Sequence, residues 1–404
     1  MLAKNALSYL WPLMVTLLTG PGTYVSLLRW GLQEAGYLDR MVSYFPDWEV
    51  WDGHGQRVDT FRPYRWLTWA MWAVWRRLPR IGSQDHHLAW HFALYDWLTR
   101  QRVPLSPVLW AWWGTSLYTM RKARREGRLV LLEAHMCHPK TWNAIATSLY
   151  QEYPSKNKAN LAILPPNYVA RLEAELQEAD KIQVLSSFAK RTFMEAGIPE
   201  EKLYLLPLGV DTTIFYPEPV QQTEKFIVLY VGRIHPLKGI PYLLESFSYL
   251  RPPKAELWLI GSVSQEMQPL LNRYVGDSIR YLGAKSYMEL RTYYNQASVV
   301  VFPTLLDSFG LVILEAMACG KPVIATTHSG APDIMSGNNI GFLIPPSSSE
   351  AIAEALEKTY LMRDDLVEMG RAAYQHILSH YTLYAYQQRV VDYIHLLKGA
   401  YELA

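Results

Sequence analysis

The sequence predicts an α/β protein built on doubly wound parallel sheets. In the C-terminal half six short apolar runs recur, and each is continuous rather than alternating, as in strands buried on both faces. Segments of helical length, such as GIPYLLESFSYL and SYMELRTYYNQA, lie between most of them. Strand–helix alternation of this kind is typical of a parallel sheet with helices on both faces. The runs are FIVLYVG (226–232), AELWLIG (255–261), IRYLG (279–283), SVVVFPT (298–304), PVIATT (322–327) and GFLIPP (341–346).

The N-terminal half shows the same alternation of apolar runs and helical segments, but less clearly. The proline-rich, aperiodic segment 207–225 is typical of a linker between two domains. The final segment, 381–404, has an amphipathic helical pattern and either caps the second domain or packs back on the first. The strand candidates are WPLMVTLL (11–18), DRMVSYF (39–45), RLVLLEA (128–134), LAILPP (161–166), KIQVLSS (181–187) and KLYLLPLG (202–209).

Length and composition set limits on function. A chain of 404 residues fits two domains, and a net charge of +2 gives no basic field for nucleic acid. With only Cys137 and Cys319, a secreted disulfide framework is excluded and a reducing, cytoplasmic compartment is expected. The uncharged stretch 5–28 is interrupted by proline and glycine, which favours a buried strand over a membrane span of about 20 residues. A signal peptide is the weaker alternative, because no convincing cleavage site follows.

A turn between a strand and a helix carries two cations. In VGRIHPLKG (231–239), Arg233 and Lys238 follow an apolar run, and Gly239 opens a helical pattern. Free N–H groups and the helix dipole at such an edge favour anions, and two cations there suit a diphosphate. The alternative is a solvated turn with incidental charges.

Two carboxylates accompany a second helix start in PTLLDSFGLVILEAMACGKPVIA (303–325). Ser308 is the expected N-cap and Gly320 the expected end of this helix. Asp307 then lies at the helix mouth and Glu315 in the same cleft, where carboxylates hold sugar hydroxyls well. The alternative is a capping aspartate and a surface glutamate, but Glu315 would be an isolated charge in an apolar segment, which is costly.

These segments resemble the retaining glycosyltransferases of family 4, also called glycosyl transferases group 1. The resemblance rests on VGRIHPLKG, on 303–325, on HSGAPDIM (328–335) and IGFLIPP (340–346), and on the middle segment 177–215. It is specific from about residue 171 onward and loose before that.

The resemblance implies the GT-B fold, in which two Rossmann-like domains face each other across a cleft. Residues 1–206 would bind the acceptor, residues 207–380 the nucleotide sugar, and the helix 381–404 would pack back toward the first domain. The implied reaction moves a sugar, with retention of configuration, from a nucleotide-diphosphate donor to a hydroxyl of a glycan, polysaccharide precursor or lipid-linked acceptor. Two alternatives stay open: a catalytically degenerate sugar- or lipid-binding scaffold, and a phosphorylase-like enzyme.

The resemblance also implies residue roles. Arg233 and Lys238 grip the diphosphate, Asp307 holds the transferred sugar, and Glu315 takes the ribose hydroxyls. Asp307 stands where the family usually has glutamate in its E-x7-E motif, and Leu208 where it more often has asparagine. The donor-binding residues implied are Gly22, Arg233, Lys238, Asp307, Phe309, Gly310, Leu311, Val312 and Glu315.

Histidines after a strand complete the expected site. In LLEAHMCHPKTW (131–142) the family's histidine near the sugar aligns with His138 as first choice and His135 as second, the alternative being a histidine that caps a turn. Cys137 lacks the companions that a nucleophile or a zinc ligand needs. The i, i+4 pair His87 and His91 lacks a third ligand and is interpreted as a helix face.

No metal or other cofactor is expected. The chain has no Asp-x-Asp motif, and Arg233, Lys238 and a helix terminus can neutralise the leaving diphosphate instead.

Two stretches suggest contact with an anionic membrane. Residues 61–80 carry five arginines around four tryptophans, and residues 108–128 carry a tryptophan cluster followed by five basic residues. The alternative is core tryptophan with solvated arginine. The sequence thus predicts a cytoplasmic protein that associates peripherally with the inner face of a membrane. It identifies neither donor base, sugar, acceptor, linkage nor oligomeric state.

Overall fold

The computed structural model describes most of the chain after residue 105 and separate pieces before it. Gly22, the pair His87 and His91, and residues 62–80 lie outside the described part. The described residues are 15–19, 28, 32–33, 36–43, 60–61, 93–94, 96–98, 100–101, 103, 105–152, 163–219, 225–250, 253–335 and 339–402.

The described strands form two sheets, and every pairing within them is parallel. The first sheet has the order β3-β2-β1-β4-β5-β6-β7 and the second the order β10-β9-β8-β11-β12-β13. Both orders reverse direction once, as in doubly wound folds. The first sheet contains β1 Val15–Thr19, β2 Leu38–Ser43, β3 Thr60–Phe61, β4 Val108–Trp112, β5 Leu129–Ala134, β6 Lys181–Val184 and β7 Leu203–Leu205. The second contains β8 Phe226–Val231, β9 Ala255–Ile260, β10 Ile279–Tyr281, β11 Val299–Phe302, β12 Val323–Thr326 and β13 Gly341–Ile344.

Helices connect most successive strands, so the predicted α/β class with two doubly wound sheets is confirmed. Beside the first sheet lie α1 Leu117–Arg125, α2 Pro139–Glu152, α3 Pro166–Glu178 and α4 Ser187–Glu195. The later helices are α5 Ile240–Leu250, α6 Gln268–Tyr274, α7 Leu290–Gln296, α8 Leu311–Ala318, α9 Ala331–Ile334, α10 Ser349–Leu361, α11 Leu366–His380 and α12 Leu383–Glu402. Short 3₁₀ turns span Glu200–Lys202 and Pro236–Lys238.

All six strands predicted in the second half are present, whereas in the first half one predicted strand is absent and two observed strands were not predicted. LAILPP does not form a strand, because its described residues 163–165 are irregular and Pro166 starts α3. Proline at the first helical position has no N–H to lose and a φ suited to the helix. The strands that were not predicted are β3, of two residues, and β4, which lies in the stretch 108–128 that was interpreted as a membrane contact.

The tryptophans of the stretch 108–128 belong to the core. Trp110, Trp112 and Trp113 are 0–3% exposed, and β4 lies between β1 and β5 at the centre of the first sheet. Four of the five basic residues that follow them lie on α1, whose inner face buries Leu117 and Met120, and Arg128 directly precedes β5. In this stretch the tryptophans are therefore in the core, while the arginines lie on the outer side.

The C-terminal helix α12 packs on the first sheet. The Tyr393 ring stacks on Tyr204 of β7 at 3.6 Å and meets Trp110 of β4 edge to face at 5.8 Å. The Tyr37 hydroxyl lies 2.6 Å from Nε2 of His395. The last helix thus contributes to the core of the first domain, whose last strand, β7, ends about 180 residues before α12 begins.

The two segments that cross between the sheets lie side by side. The N–H of Val210 donates to the Tyr381 carbonyl at 2.8 Å. The Arg389 guanidinium donates to the carbonyls of Pro207 (3.1 Å) and His380 (2.7 Å). One cation therefore binds both crossing segments.

A buried glutamate gives the first sheet a pH dependence. Glu133 in β5 is 1% exposed, and neither carboxylate oxygen has a hydrogen-bond partner among the described residues. Burial raises the pKa of Glu133 to about 8 from an ordinary value of 4.5. Between these two values the folded protein keeps a proton that the unfolded chain has lost, so stability falls as pH rises through this window.

We expect the Glu133→Gln variant to match wild-type stability below pH 4.5 and to exceed it increasingly up to about pH 8. The amide does not titrate, and the gap grows by at most about 1.4 kcal/mol per pH unit. Urea unfolding of the full chain across this range measures it, with Glu357→Gln on the surface of α10 as the matched control. A gap independent of pH would contradict the assignment.

Candidate active site

The predicted donor residues meet at the centre of the second sheet. Arg233 follows β8 and Asp307 follows β11, and these two strands are neighbours at the point where the strand order reverses. Ligands of doubly wound sheets bind outside the carboxyl ends of the strands at this point. The tertiary fold therefore brings together residues that lie far apart in the sequence.

The turn that carries Lys238 is locked against the segment after β11. Gly239 has φ 70°, and a Cβ there would lie 1.8 Å from the Pro303 carbonyl oxygen. The Leu305 N–H donates to the Leu237 carbonyl at 2.9 Å. Only glycine fits this close, left-handed approach, which brings the Lys238 side chain to the segment that contains Asp307.

Lys238 and Asp307 form an ion pair. The distance from Nζ to Oδ2 is 2.6 Å, and the two side chains are 30% and 20% exposed. The other carboxylate oxygen of Asp307 accepts from the Phe309 N–H at 3.0 Å. The ammonium group keeps two further N–H donors, so it can hold Asp307 and an anionic ligand together.

Arg233 faces solvent beside this pair. Its side chain is exposed and makes no ion pair with a described residue, while its carbonyl accepts from the Tyr230 hydroxyl at 2.8 Å. The backbone is therefore fixed and the guanidinium is available, as the diphosphate role requires.

The N-cap of α8 is Gly310 and not Ser308, so the predicted N-cap is wrong. Gly310 takes φ 94°, and a Cβ there would meet the Phe302 ring at 2.8 Å. Helix geometry leaves the first N–H groups, those around Leu311 and Val312, without intrahelical acceptors. They lie beside Asp307 and provide positive partial charge at this edge.

Glu315 is a buried carboxylate one turn into α8. It is 5% exposed, and the Tyr294 hydroxyl donates to its Oε2 at 2.7 Å. Burial raises its pKa to about 7, and the Tyr294 hydrogen bond opposes this. The surface-glutamate alternative is thus wrong, and the carboxyl group titrates near neutrality.

The first domain contacts the segment that contains Asp307. The Ser308 hydroxyl donates to the His135 carbonyl at 2.7 Å, and the Ser186 hydroxyl donates to the Ser308 carbonyl at 2.6 Å. The Cys137 thiol lies 3.9 Å from the Asp307 carbonyl. The predicted donor residues therefore lie where the two domains meet, beside the end of β5.

The two candidate histidines differ in what their rings do. The His138 ring accepts from the Lys140 N–H at 3.2 Å at the start of α2 and packs edge-on against Phe193. The His135 ring stacks on Trp112 at 4.4 Å, and its Nδ1 is buried with no hydrogen-bond partner among the described residues. Burial lowers the pKa of both to about 4, so both imidazoles are neutral at pH 7.

Within the described part of the chain no three His, Cys, Asp or Glu side chains lie close enough to hold a metal ion. Cys137 and Cys319 are both free and buried, and burial, the largest effect, raises the pKa of each thiol.

Comparison with known proteins identifies the second domain. Residues 212–376 match the family model for glycosyl transferases group 1. This domain belongs to glycosyl transferases group 1. The resemblance to that family is therefore confirmed for the glycosyl transferases group 1 domain, which contains Arg233, Lys238, Asp307 and Glu315.

Two curated relatives resemble the same part of the chain. The D-inositol 3-phosphate glycosyltransferase of Paenarthrobacter aurescens is 30% identical over 197 residues, which are 45% of this chain and 48% of that protein. The GDP-mannose-dependent alpha-(1-6)-phosphatidylinositol monomannoside mannosyltransferase of Mycobacterium tuberculosis is 26% identical over 53% of this chain and 61% of that protein. The chain thus spans about half the length of the curated relatives it matches.

A solved structure matches both domains. The sucrose-phosphate synthase from Thermosynechococcus elongatus superposes with a TM-score of 0.72 over 96% of this chain and 100% of that chain, at 21% identity. This likeness concerns the fold, and it confirms the predicted GT-B architecture. Among the described residues no helix is both long and apolar enough to cross a bilayer.

Sequence reasoning missed the residues that support the site. Tyr294 holds Glu315, and Ser308 and Ser186 connect the domains, yet none of them stands in a pattern with the group it contacts. Their partners are 21 to 173 residues away in sequence. A glycine directly before the apolar run of α8 was the one visible signal for the true helix start.

Proposed function

We propose that this protein is a retaining glycosyltransferase that moves a sugar from a nucleotide-diphosphate donor to an acceptor hydroxyl without a metal ion. The observation that carries the proposal is the Lys238–Asp307 pair, which lies beside Arg233 and the start of α8 in a glycosyl transferases group 1 domain. Two cations and the free N–H groups of a helix provide what a leaving diphosphate needs. The acceptor would be a glycan, a polysaccharide precursor or a lipid-linked sugar, in line with the phosphatidylinositol-linked acceptor in the name of one relative.

In this proposal each donor residue has one task. Arg233 and Lys238 bind the two phosphates, and the N–H groups of Gly310, Leu311 and Val312 face the phosphate next to the sugar. Asp307 orients Lys238 and accepts from a sugar hydroxyl, and Glu315 accepts from the ribose hydroxyls. Because the Glu315 pKa is about 7, this last interaction strengthens as pH rises through neutrality. Gly22 would approach the donor from the first domain.

The reaction itself needs no protein nucleophile. The acceptor oxygen forms the new bond to the anomeric carbon on the face from which the diphosphate departs. The bond from that carbon to the phosphate oxygen breaks, and the acceptor proton passes to the departing oxygen. The cations and helix N–H groups stabilise the negative charge that develops there.

A neutral histidine completes the site on the first-domain side. His138 was the first expectation, but its ring is engaged in capping α2. The described contacts favour His135, because its carbonyl accepts from the Ser308 hydroxyl and its ring stacks on Trp112 without capping a helix. A neutral imidazole there can hydrogen-bond a sugar hydroxyl without adding charge.

We expect one nucleoside diphosphate, or its sugar, to raise the melting temperature of the protein in the presence of EDTA. Ligand at about 100 times Kd stabilises by about 2.7 kcal/mol, which corresponds to roughly 5–10 °C for a domain of this size. UDP, GDP, ADP and their sugars form the panel, and donor hydrolysis is followed in the same samples. Arg233→Ala should abolish the shift, while Arg273→Ala, an exposed arginine on α6, should keep it.

Two further results would change the assignment. No shift with any nucleotide would overturn the enzyme proposal and favour a binding scaffold. Donor hydrolysis lost in His138→Ala but kept in His135→Ala would return the histidine role to His138.

A further inference from the structure

A groove rich in arginine runs along the outer side of α1. Its volume is about 590 Å³. The lining contains four cations and one carboxylate, which gives this surface an excess of positive charge. We call it the arginine groove, and its lining residues are Trp97, Arg100, Tyr118, Arg121, Arg124, Arg125 and Glu178.

Two of the four arginines, Arg100 and Arg125, form no ion pair with a residue that the structure describes. Glu178 is shared by Arg121 (3.0 Å) and Arg124 (3.8 Å). Arg125 donates only to the Arg121 carbonyl, and Arg100 only to the Trp97 carbonyl, among the described residues. Positive charge without internal compensation favours an external anion.

Large apolar side chains stand beside this charge. Leu94 is 44% exposed and Trp97 is 46% exposed. The Arg100 N–H donates to the Asp96 carbonyl, so the segment is helical there and Leu94, Trp97 and Arg100 share one side. Aromatic and aliphatic side chains flanked by arginine are typical of surfaces that rest at a lipid headgroup layer.

The exposed tryptophan is held in place by a buried neighbour. Asp96 is fully buried and accepts from the Tyr118 N–H (2.7 Å), the Thr119 N–H (3.1 Å) and Arg171 Nη2 (3.0 Å). The segment that presents Trp97 is therefore fixed to the start of α1.

One end of the groove lies near the carboxyl edge of the first sheet. Helix α1 starts five residues after β4 ends, at the carboxyl edge of the first sheet, and Tyr118 lies in its first turn. Nine helical residues rise about 14 Å, so the groove extends away from that edge by roughly this distance. A surface bound along the groove would bring its own molecules to the acceptor side of the cleft.

We propose that the arginine groove, with Leu94 and Trp97, is the surface by which the protein rests on an anionic membrane. Arg100, Arg121 and Arg125 take lipid phosphates, while Leu94 and Trp97 enter the headgroup layer. This deepens the acceptor side of the proposed function and rests on it in one respect, since it favours an acceptor that is itself lipid-linked.

Co-sedimentation of the full chain with vesicles tests the proposal. We expect binding to vesicles of equal parts phosphatidylcholine and phosphatidylglycerol, weak binding to phosphatidylcholine alone, and a loss of affinity with added salt. The double variant Arg100→Gln/Arg125→Gln removes two cations and leaves no described carboxylate unpaired. At roughly fivefold per cation, it should bind about 25-fold more weakly.

The matched control is Arg273→Gln/Arg371→Gln, which removes the same charge from exposed arginines of the second domain and should bind like wild type. Equal affinity of the groove variant and this control would overturn the proposal. If soluble glycerol phosphate bound with an affinity comparable to that of the vesicles and released the protein from them, this would also overturn the proposal and favour a site for a soluble anion.

The nucleotide melting shift is measured on the same groove variant and should be unchanged. Loss of vesicle binding with an intact shift supports the membrane surface. If the donor assignment were wrong, only the nucleotide melting shift would be missing and vesicle binding would remain. The donor proposal and the membrane proposal are therefore tested independently.

Discussion

Replacing Lys238 with methionine is expected to lower kcat/KM for sugar transfer on the order of 10²–10³-fold, with most of the loss in kcat. The methionine keeps much of the side-chain volume and removes the charge that would meet the leaving diphosphate. It also leaves the Asp307 carboxylate without its 2.6 Å partner, next to the phosphates. Steady-state kinetics with the donor that the nucleotide panel selects provides the measurement.

A double-mutant cycle separates the two contributions. Because Lys238 and Asp307 are in direct contact, their effects on kcat/KM should be coupled. Asp307→Asn should therefore lower kcat/KM less in the Lys238→Met background than in wild type. Lys358→Met on the exposed side of α10 is the matched control and should leave kcat/KM within about twofold of wild type, because surface substitutions are usually close to neutral. Single effects that simply add would show that the pair does not act as a unit on the donor.

Replacing Asp96 with alanine is expected to lower the free energy of unfolding of the first domain by about 3–5 kcal/mol. The carboxylate is fully buried, accepts from two N–H groups at the start of α1, and pairs with Arg171, whose side chain is 8% exposed. Without it, Arg171 keeps Glu175 at 3.3 Å and the Gly114 carbonyl at 3.1 Å, and the N–H groups of Tyr118 and Thr119 lose their acceptor, while Glu175 still accepts from Leu117. Urea unfolding of the full chain, followed by circular dichroism, measures the change.

Asp277→Ala, an exposed aspartate of the second domain, is the matched control and should change stability by less than about 0.5 kcal/mol. Asp96→Asn keeps an acceptor oxygen but loses the charge, so it should fall between wild type and Asp96→Ala. If Asp96→Ala stayed within the range of the control, the buried pair would contribute nothing to the first domain.

The sequence by itself determined the second domain almost completely. Strands buried on both faces are continuous apolar runs. Segments such as FIVLYVG and SVVVFPT can therefore be assigned as strands without knowing what they pack against. The candidate donor residues could be predicted for the same reason, because each stands at a fixed distance from such a run. They are Arg233, Lys238, Asp307 and Glu315. In the first domain this local rule failed at β4, because tryptophan suits a buried strand and a lipid interface equally well.

The tertiary structure alone decided which of these groups act together. The Lys238–Asp307 pair joins residues 69 apart in the sequence, and Ser308 meets His135 across 173. Gly310 caps α8 in place of Ser308 because the serine hydroxyl is used between the domains, a competition that no local pattern reports. Burial likewise places the pKa of Glu315 near neutrality and leaves His135 Nδ1 without a partner among the described residues. A sequence specifies which side chains prefer water, but the free energy of a charge or a hydrogen bond depends on what the fold places opposite it.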